Sequence, residues 1–237
     1  MRDEHFGGLL THITGGSDRE GGGSGPVVVL MHGFGAPGTD LVGLWRALQV
    51  PRETRFVFPE APLELAAFPF AARAWWQIDL SRFEQVRSEA ELRARTEETP
   101  AGLESARKHV IACLDELQQS LGVDSSRIVL GGFSQGAMLA CDVVLSDPRP
   151  FAGLVMLSGT LISSARWRER MPTRADLPVF QSHGTGDAIL PYFAAEMLRD
   201  AWIEAGVRHE FVPFRGGHEL PQPVLAGLSA FITRVLA

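Results

Sequence analysis

The chain has 237 residues, 45% of them hydrophobic and 21% charged, with a formal net charge of −6. Such a length and balance suit one folded domain with a substantial core, residues 1–237, and exclude a disordered or fibrous chain. The acidic balance with no Lys/Arg stripe argues against nucleic acid as a partner, and no apolar run reaches the length that stable membrane insertion needs.

Met1-Arg2-Asp3-Glu4-His5 lacks the basic-then-apolar order of a secretory signal, so a cytoplasmic location is expected. Residues 9–14 are expected as a short edge strand, and the Gly-, Ser- and acid-rich residues 15–25 as a mobile hairpin loop. Residues 26–31, Pro-Val-Val-Val-Leu-Met, form a continuous apolar run, which predicts a parallel strand covered on both faces. It runs into His32-Gly33-Phe34-Gly35-Ala36-Pro37-Gly38, where the glycine density points to backbone that approaches a ligand closely.

Residues 41–50 carry a helical spacing with Thr39 or Asp40 as N-cap, and residues 55–58 read as the next strand. Residues 61–100 form a lid-like excursion. Its first part is aromatic without clean period, with Phe68, Phe70, Trp75 and Trp76 either packing as loop side chains or lining an acyl or aryl groove. Its second part, residues 81–99, alternates acids and bases as a solvated helix does. Residues 102–121 predict an amphipathic helix with Val110, Ile111, Leu114 and Leu117 inward and Gly122 as its stop. Cys113 and Cys141 fall in helical stretches with apolar neighbours and read as small buried side chains rather than a disulfide. Further strands over residues 126–130, 151–157, 177–182 and 207–214 alternate with helices over 137–145, 192–205 and 221–236. That alternation implies an α/β protein with a doubly wound, mostly parallel sheet.

One stretch organises the chemistry. Gly132-Phe133-Ser134-Gln135-Gly136 lies between a predicted strand and a predicted helix, where a serine can be held out on a sharp turn with small residues at its flanks. A serine hydroxyl attacks only if a base takes its proton, and the base needs a third group to orient it. In an open α/β sheet these groups belong in loops beyond the carboxyl ends of strands. His218 satisfies that condition, whereas His32 and His183, at strand ends followed by Gly, read as histidines bonded to loop backbone. Asp187 follows the strand 177–182, while Asp142, Asp147 and Asp200 read as solvated or capping residues of helices. The resulting order is Ser134, Asp187, His218. The oxyanion donors expected are the amides of Gln135 and Phe34.

These residues resemble the phospholipase/carboxylesterase family of α/β-hydrolases, which includes acyl-protein thioesterases, lysophospholipases and bacterial carboxylesterases. The matching pieces are Leu30-Met31-His32-Gly33-Phe34-Gly35, Phe58-Pro59-Glu60-Ala61-Pro62, Arg73-Ala74-Trp75-Trp76, Gly132-Phe133-Ser134-Gln135-Gly136-Ala137, His183-Gly184-Thr185-Gly186-Asp187 with Pro191, and Gly217-His218-Glu219. The resemblance implies a catalytic triad of Ser134, Asp187 and His218, an oxyanion hole of Phe34 and Gln135, and substrate contacts at Trp75, Trp76 and Leu190. Ala36-Pro37 and Gly136-Ala137 depart from the thioesterase pattern and resemble the bacterial carboxylesterase branch more closely.

The function expected is that of a carboxylesterase-type serine hydrolase, acting without cofactor or metal on a small-molecule ester of small to medium acyl chain. A thioesterase or lysophospholipase acting on long chains is the alternative, and a non-catalytic receptor that keeps the cavity is a third reading. A homodimer is left open by the sequence.

Overall fold

The computed structural model describes residues 1–68, 71–78 and 89–237. Phe70 and residues 81–88 of the expected lid-like excursion lie outside the described residues.

Strands β1 (Arg2–Phe6), β2 (Leu9–Gly16), β3 (Glu20–Gly22), β4 (Val27–Met31) and β5 (Arg55–Pro59) come from the first quarter of the chain. A small hairpin of β6 (Leu63–Glu64) and β7 (Arg73–Ala74) follows, and then β8 (Ile128–Phe133), β9 (Gly153–Leu157), β10 (Val179–Gly184) and β11 (His209–Phe214). The main sheet has the order β1-β2-β5-β4-β8-β9-β10-β11, with β3 paired to β2. From β5 to β11 the pairing is parallel, and β2 joins β5 antiparallel.

The helices are α1 (Leu44–Ala47), α2 (Glu89–Glu97), α3 (Leu103–Leu121), α4 (Gln135–Ser146), α5 (Ser164–Arg170), α6 (Tyr192–Glu204) and α7 (Gln222–Val235). Alternation along β4 explains how they divide between the two faces. Val27, Val29 and Met31 pack with side chains of α3, α4, α5 and α6, whereas Val28 and Leu30 pack with those of α1 and α7. Every residue of β4 is buried, as its unbroken apolar run requires. Cys113 and Cys141 are free thiols in this core, and burial pushes the Cys113 thiol up to about 12. No helix among the described residues is long and apolar enough to cross a membrane.

Four expectations need correction. Residues 9–14 belong to an interior strand, because the polar Arg2–Phe6 segment pairs outside it as β1. That segment has no apolar run to announce it; the antiparallel register with β2 supplies its hydrogen bonds. Residues 15–25 are partly strand, since β2 runs on to Gly16 and β3 closes beside it. Residues 41–50 hold only one helical turn, α1, capped at Gly43 without a side-chain bond rather than by Thr39 or Asp40. By contrast α3 ends as expected, with Gly122 in the left-handed region at φ 57°.

Asp142 is the fourth. Its carboxylate is wholly buried within α4, accepting from Arg107 Nη1 at 2.7 Å, from Trp167 Nε1 at 2.9 Å and from Arg166. A buried carboxylate is tolerated only when its lone pairs are filled, and here three donors from α3 and α5 fill them. Asp147 is also buried, paired with Arg149 at 2.7 Å. Asp142→Ala leaves the Trp167 indole and two guanidinium groups unpaired, and a loss of about 3 kcal/mol in unfolding free energy is expected. Urea titration followed by circular dichroism measures it; a change near zero would show the cluster to be neutral.

Candidate active site

Ser134 sits between β8 and α4 at φ 55° and ψ −117°, a conformation that costs an L-residue about 1–3 kcal/mol. Two contacts hold it there. Its N–H donates to Leu157 O at 2.8 Å, and it leads directly into a helix whose residues 135–145 are all buried. The flanking glycines answer to space. A Cβ on Gly136 would lie 2.1 Å from Met31 O, and one on Gly132 would lie 2.5 Å from the Gly136 carbonyl carbon.

The expected acid and base meet. Asp187 lies just past β10 and His218 just past β11, and His218 Nδ1–H donates to Asp187 Oδ2 at 2.6 Å. Asp187 Oδ1 accepts from the amides of Ile189 and Leu190, each at 2.9 Å. Burial alone would raise the Asp187 carboxyl, but the donors from His218, Leu190 and Ile189 outweigh it and hold it below the usual carboxylate value. The His218 ring packs on Phe133, the residue before Ser134, with centroids 4.7 Å apart. Among the described residues no hydrogen bond joins the Ser134 hydroxyl to His218 in this resting state.

The loop after β4 lies against Ser134, since a Cβ on Gly33 would come within 3.2 Å of the Ser134 Cβ. Phe34 N–H has no acceptor among the described residues, and Gln135 N–H, at the first position of α4, has no helical one. The free Gln135 amide thus follows the serine directly, and the free Phe34 amide belongs to the loop that touches it. His32 bonds backbone as expected: Nδ1–H donates to Gly33 O at 2.8 Å, and Nε2 accepts from Ala61 N–H at 3.0 Å.

Trp75 and Trp76 part company. Trp76 lines a cavity of about 430 Å³ with Ile78, Met138, Leu161, Leu190 and Pro191, closed on its far side by the end of α2. Met138 stands one helical turn beyond Ser134, and Leu190 N–H is bonded to Asp187. Trp75 is a core residue and does not line that cavity. Its indole N–H donates to His32 O at 3.0 Å, and its backbone N–H to Gln135 Oε1 at 2.9 Å. Gln135 Nε2 in turn donates to Trp76 O at 2.8 Å. The side chain of Gln135 therefore clamps the tryptophan loop while its backbone opens α4 next to the serine.

A second brace grips the loop after β4 from β7. Gly35 N–H donates to Arg73 O at 2.9 Å and Arg73 N–H to Ala36 O at 3.0 Å. Arg73 Nε meets Glu60 Oε2 at 2.8 Å, and Glu60 Oε1 meets His12 Nε2 at 2.9 Å. Asp3 Oδ1 closes the chain on His12 Nδ1 at 2.8 Å. The sequence gives Glu60 and Arg73 away only as parts of matching motifs, and nothing in it singles out Asp3 or the mid-strand His12.

The architecture and this arrangement at the strand ends define an α/β-hydrolase. The chain belongs to the phospholipase/carboxylesterase family, whose model matches residues 21–236. It is 28% identical over 222 residues to acyl-protein thioesterase 1 of Neurospora crassa, covering 88% of this chain and 86% of that one. It is 32% identical over 213 residues to acyl-protein thioesterase 1 of Eremothecium gossypii, covering 86% and 85%. Among solved structures, esterase PE8 superposes with a TM-score of 0.79 at 29% identity, covering 96% of this chain and 99% of that one. The protein is an esterase-type serine hydrolase, as its sequence leads one to expect.

The His12 brace carries a pH signature. Burial alone would lower the His12 imidazole, but Asp3 and Glu60 outweigh it and raise it above its ordinary 6.5. A raised folded-state value means the stabilisation is complete below about 6.5 and is lost as pH climbs through that raised value. Thermal melts from pH 6 to 9 should show the wild type losing its advantage over His12→Gln as pH rises; parallel curves would refute this.

Proposed function

We propose that the protein hydrolyses carboxylic esters of small to medium acyl chain through a covalent acyl-enzyme on Ser134. The observation that carries this reading is the 2.6 Å Asp187–His218 bond beside a serine held on a strained turn. Ser134 Oγ attacks the ester carbonyl carbon as His218 Nε2 takes its proton, a contact that tightens once substrate is bound. The Phe34 and Gln135 amides receive the oxyanion, each worth about 3–4 kcal/mol of barrier. Collapse expels the alcohol with the proton from His218. Water, deprotonated by the same imidazole, then attacks the acyl carbonyl and frees Ser134. Asp187 holds the imidazole tautomer throughout.

The acyl group occupies the cavity walled by Trp76, Met138 and Leu190, whose volume falls in the range of roughly 300–1,000 Å³ typical of small-molecule sites. A long-chain thioesterase or lysophospholipase activity is the second reading, favoured by the relatives named acyl-protein thioesterase. The chain works as one domain in the cytoplasm on a small-molecule ester, with a homodimer as the assembly to look for. The free buried thiols support that location.

An organophosphonate probe should label Ser134, and Ser134→Ala should lower hydrolysis of p-nitrophenyl esters by about 10³-fold or more. Wild-type rates in a folded Ser134→Ala protein would overturn the assignment. Across esters from acetate to palmitate the rate should peak at short to medium chains; a maximum at palmitate would select the second reading. Trp75→Phe keeps an aromatic side chain, smaller than the indole, and removes the donor to His32, so kcat should fall about tenfold with KM little changed.

A further inference from the structure

A second cavity, of about 440 Å³, opens between the turn that joins β2 to β3, helix α1, the loop after it and the start of β5. Arg55, the first residue of β5, pairs with Val27, and Val27 pairs with Ile128 at the start of β8. The cavity therefore lies at the end of the parallel sheet opposite Ser134, and the mechanism above makes no use of it.

Its charged lining is all of one sign. Arg19, Arg46 and Arg52 come to it from three separate segments, and none of its lining residues is acidic. In a chain with 28 acidic and 22 basic side chains an arginine has carboxylates to choose from, and Arg73, Arg107, Arg149 and Arg234 each hold one. Among the described residues the guanidinium groups of Arg19, Arg46 and Arg52 make no ion pair and no hydrogen bond. The acids beside Arg19 are engaged elsewhere. Asp18 Oδ1 accepts from the amides of Glu20 and Gly22, each at 2.8 Å, and Glu20 Oε1 lies 3.5 Å from the terminal ammonium. Arg19 itself stands at φ 68°, a left-handed position that glycine or asparagine ordinarily takes. Thr54, also a lining residue, is only 2% exposed, and its hydroxyl is buried with no partner among the described residues. Buried hydroxyls are ordinarily hydrogen-bonded, so one left open at the wall of a cationic cavity is a place for a ligand oxygen.

We propose that this cavity binds an organic phosphate: a phosphate monoester carried on a flat apolar group. Cationic donors with no carboxylate among them select an anion. Three guanidinium groups suit the three terminal oxygens of a phosphate, whereas a carboxylate has two oxygens and a single guanidinium fork fills them. The rest of the lining includes Trp45, Leu48, Val50 and Phe56, which give the organic part an apolar wall. Arg46 lies over the Trp45 ring, 5.0 Å from its centroid, and a planar group can continue that stack. Because the cavity and Ser134 sit at opposite ends of the sheet, phosphate binding and ester hydrolysis are separable.

Isothermal titration calorimetry of the full chain with phenyl phosphate tests this. We expect a Kd below about 1 mM, with inorganic phosphate and benzoate each weaker by about tenfold or more and no binding of phenol. Arg46→Gln and Arg52→Gln, both at exposed positions, should each weaken phenyl phosphate about tenfold through loss of a charge-assisted bond, while ester hydrolysis stays at the wild-type rate. Thr54→Val keeps the side-chain shape without the hydroxyl and should weaken binding about threefold or more with no loss of stability in urea. Ser134→Ala should bind as the wild type does. A wild-type Kd above about 1 mM, inorganic phosphate or benzoate as tight as phenyl phosphate, or wild-type binding in both arginine variants would overturn the inference. Loss of binding in Ser134→Ala would overturn it too, since the phosphate would then sit in the catalytic site. If Thr54→Val does not fold, the arginine variants decide. Sedimentation of the wild type, but not of Arg46→Gln, with phosphatidylcholine vesicles that contain phosphatidic acid would assign the phosphate to a lipid headgroup; phenyl phosphate binding without such sedimentation assigns it to a soluble molecule.

Discussion

The close approach of α4 to the end of β4 is the constraint on which the rest of the site depends. With no side chain at residue 136, the first turn of that helix comes down onto Met31 O and His32 O, where an added Cβ would lie at 2.1 and 2.7 Å. The chain can turn from β8 into a helix at such short range only through a left-handed residue, and Ser134 is that residue. The strain of about 1–3 kcal/mol is offset by a sheet hydrogen bond and a helix packed on all sides. A serine held this way cannot relax into the sheet, and its hydroxyl stays at the edge where the helix N-terminus and the loop after β4 converge.

Preorganisation of the two amides follows from the same geometry but needs separate support. The loop carrying Phe34 is glycine-rich and has little core of its own. It is held by backbone pairing to β7, by His32 bonded to Gly33 and Ala61, and by the Trp75 indole on His32 O. Gln135 joins the two halves, because one residue provides an amide to the site and an amide side chain to the tryptophan loop. In the proposed mechanism these amides are oxyanion donors, which are effective when they cost no reorganisation at the moment of reaction, and a web of buried hydrogen bonds is a direct way to achieve that.

The cavity beside the site, where the proposed acyl group would lie, is built by different parts of the chain. Its floor comes from α4 and the loop after β9, and one wall from the turn that carries the acid. The end of α2 and residues 98–101 form the far side, so its size is set by how the 61–100 excursion returns to the sheet.

Much of this was legible in the sequence. Strands β4, β8 and β9 announce themselves as largely apolar runs because a parallel strand buried on both faces is filled mostly by apolar side chains. That Asp187 and His218 would meet at the strand ends was legible because those ends point to one side in a parallel sheet. What only the tertiary structure decided lies where the governing contact is distant in the chain. The polar strand β1 owes its place to pairing and not to its own pattern. Asp142 looks like a solvated helix residue until α3 and α5 bring three donors to it, and Trp75 like a pocket residue until His32 and Gln135 claim its two N–H groups. Local periodicity records which face of an element is dry; it does not record which polar atom from elsewhere will fill a given lone pair, and that is settled only when the chain has closed on itself.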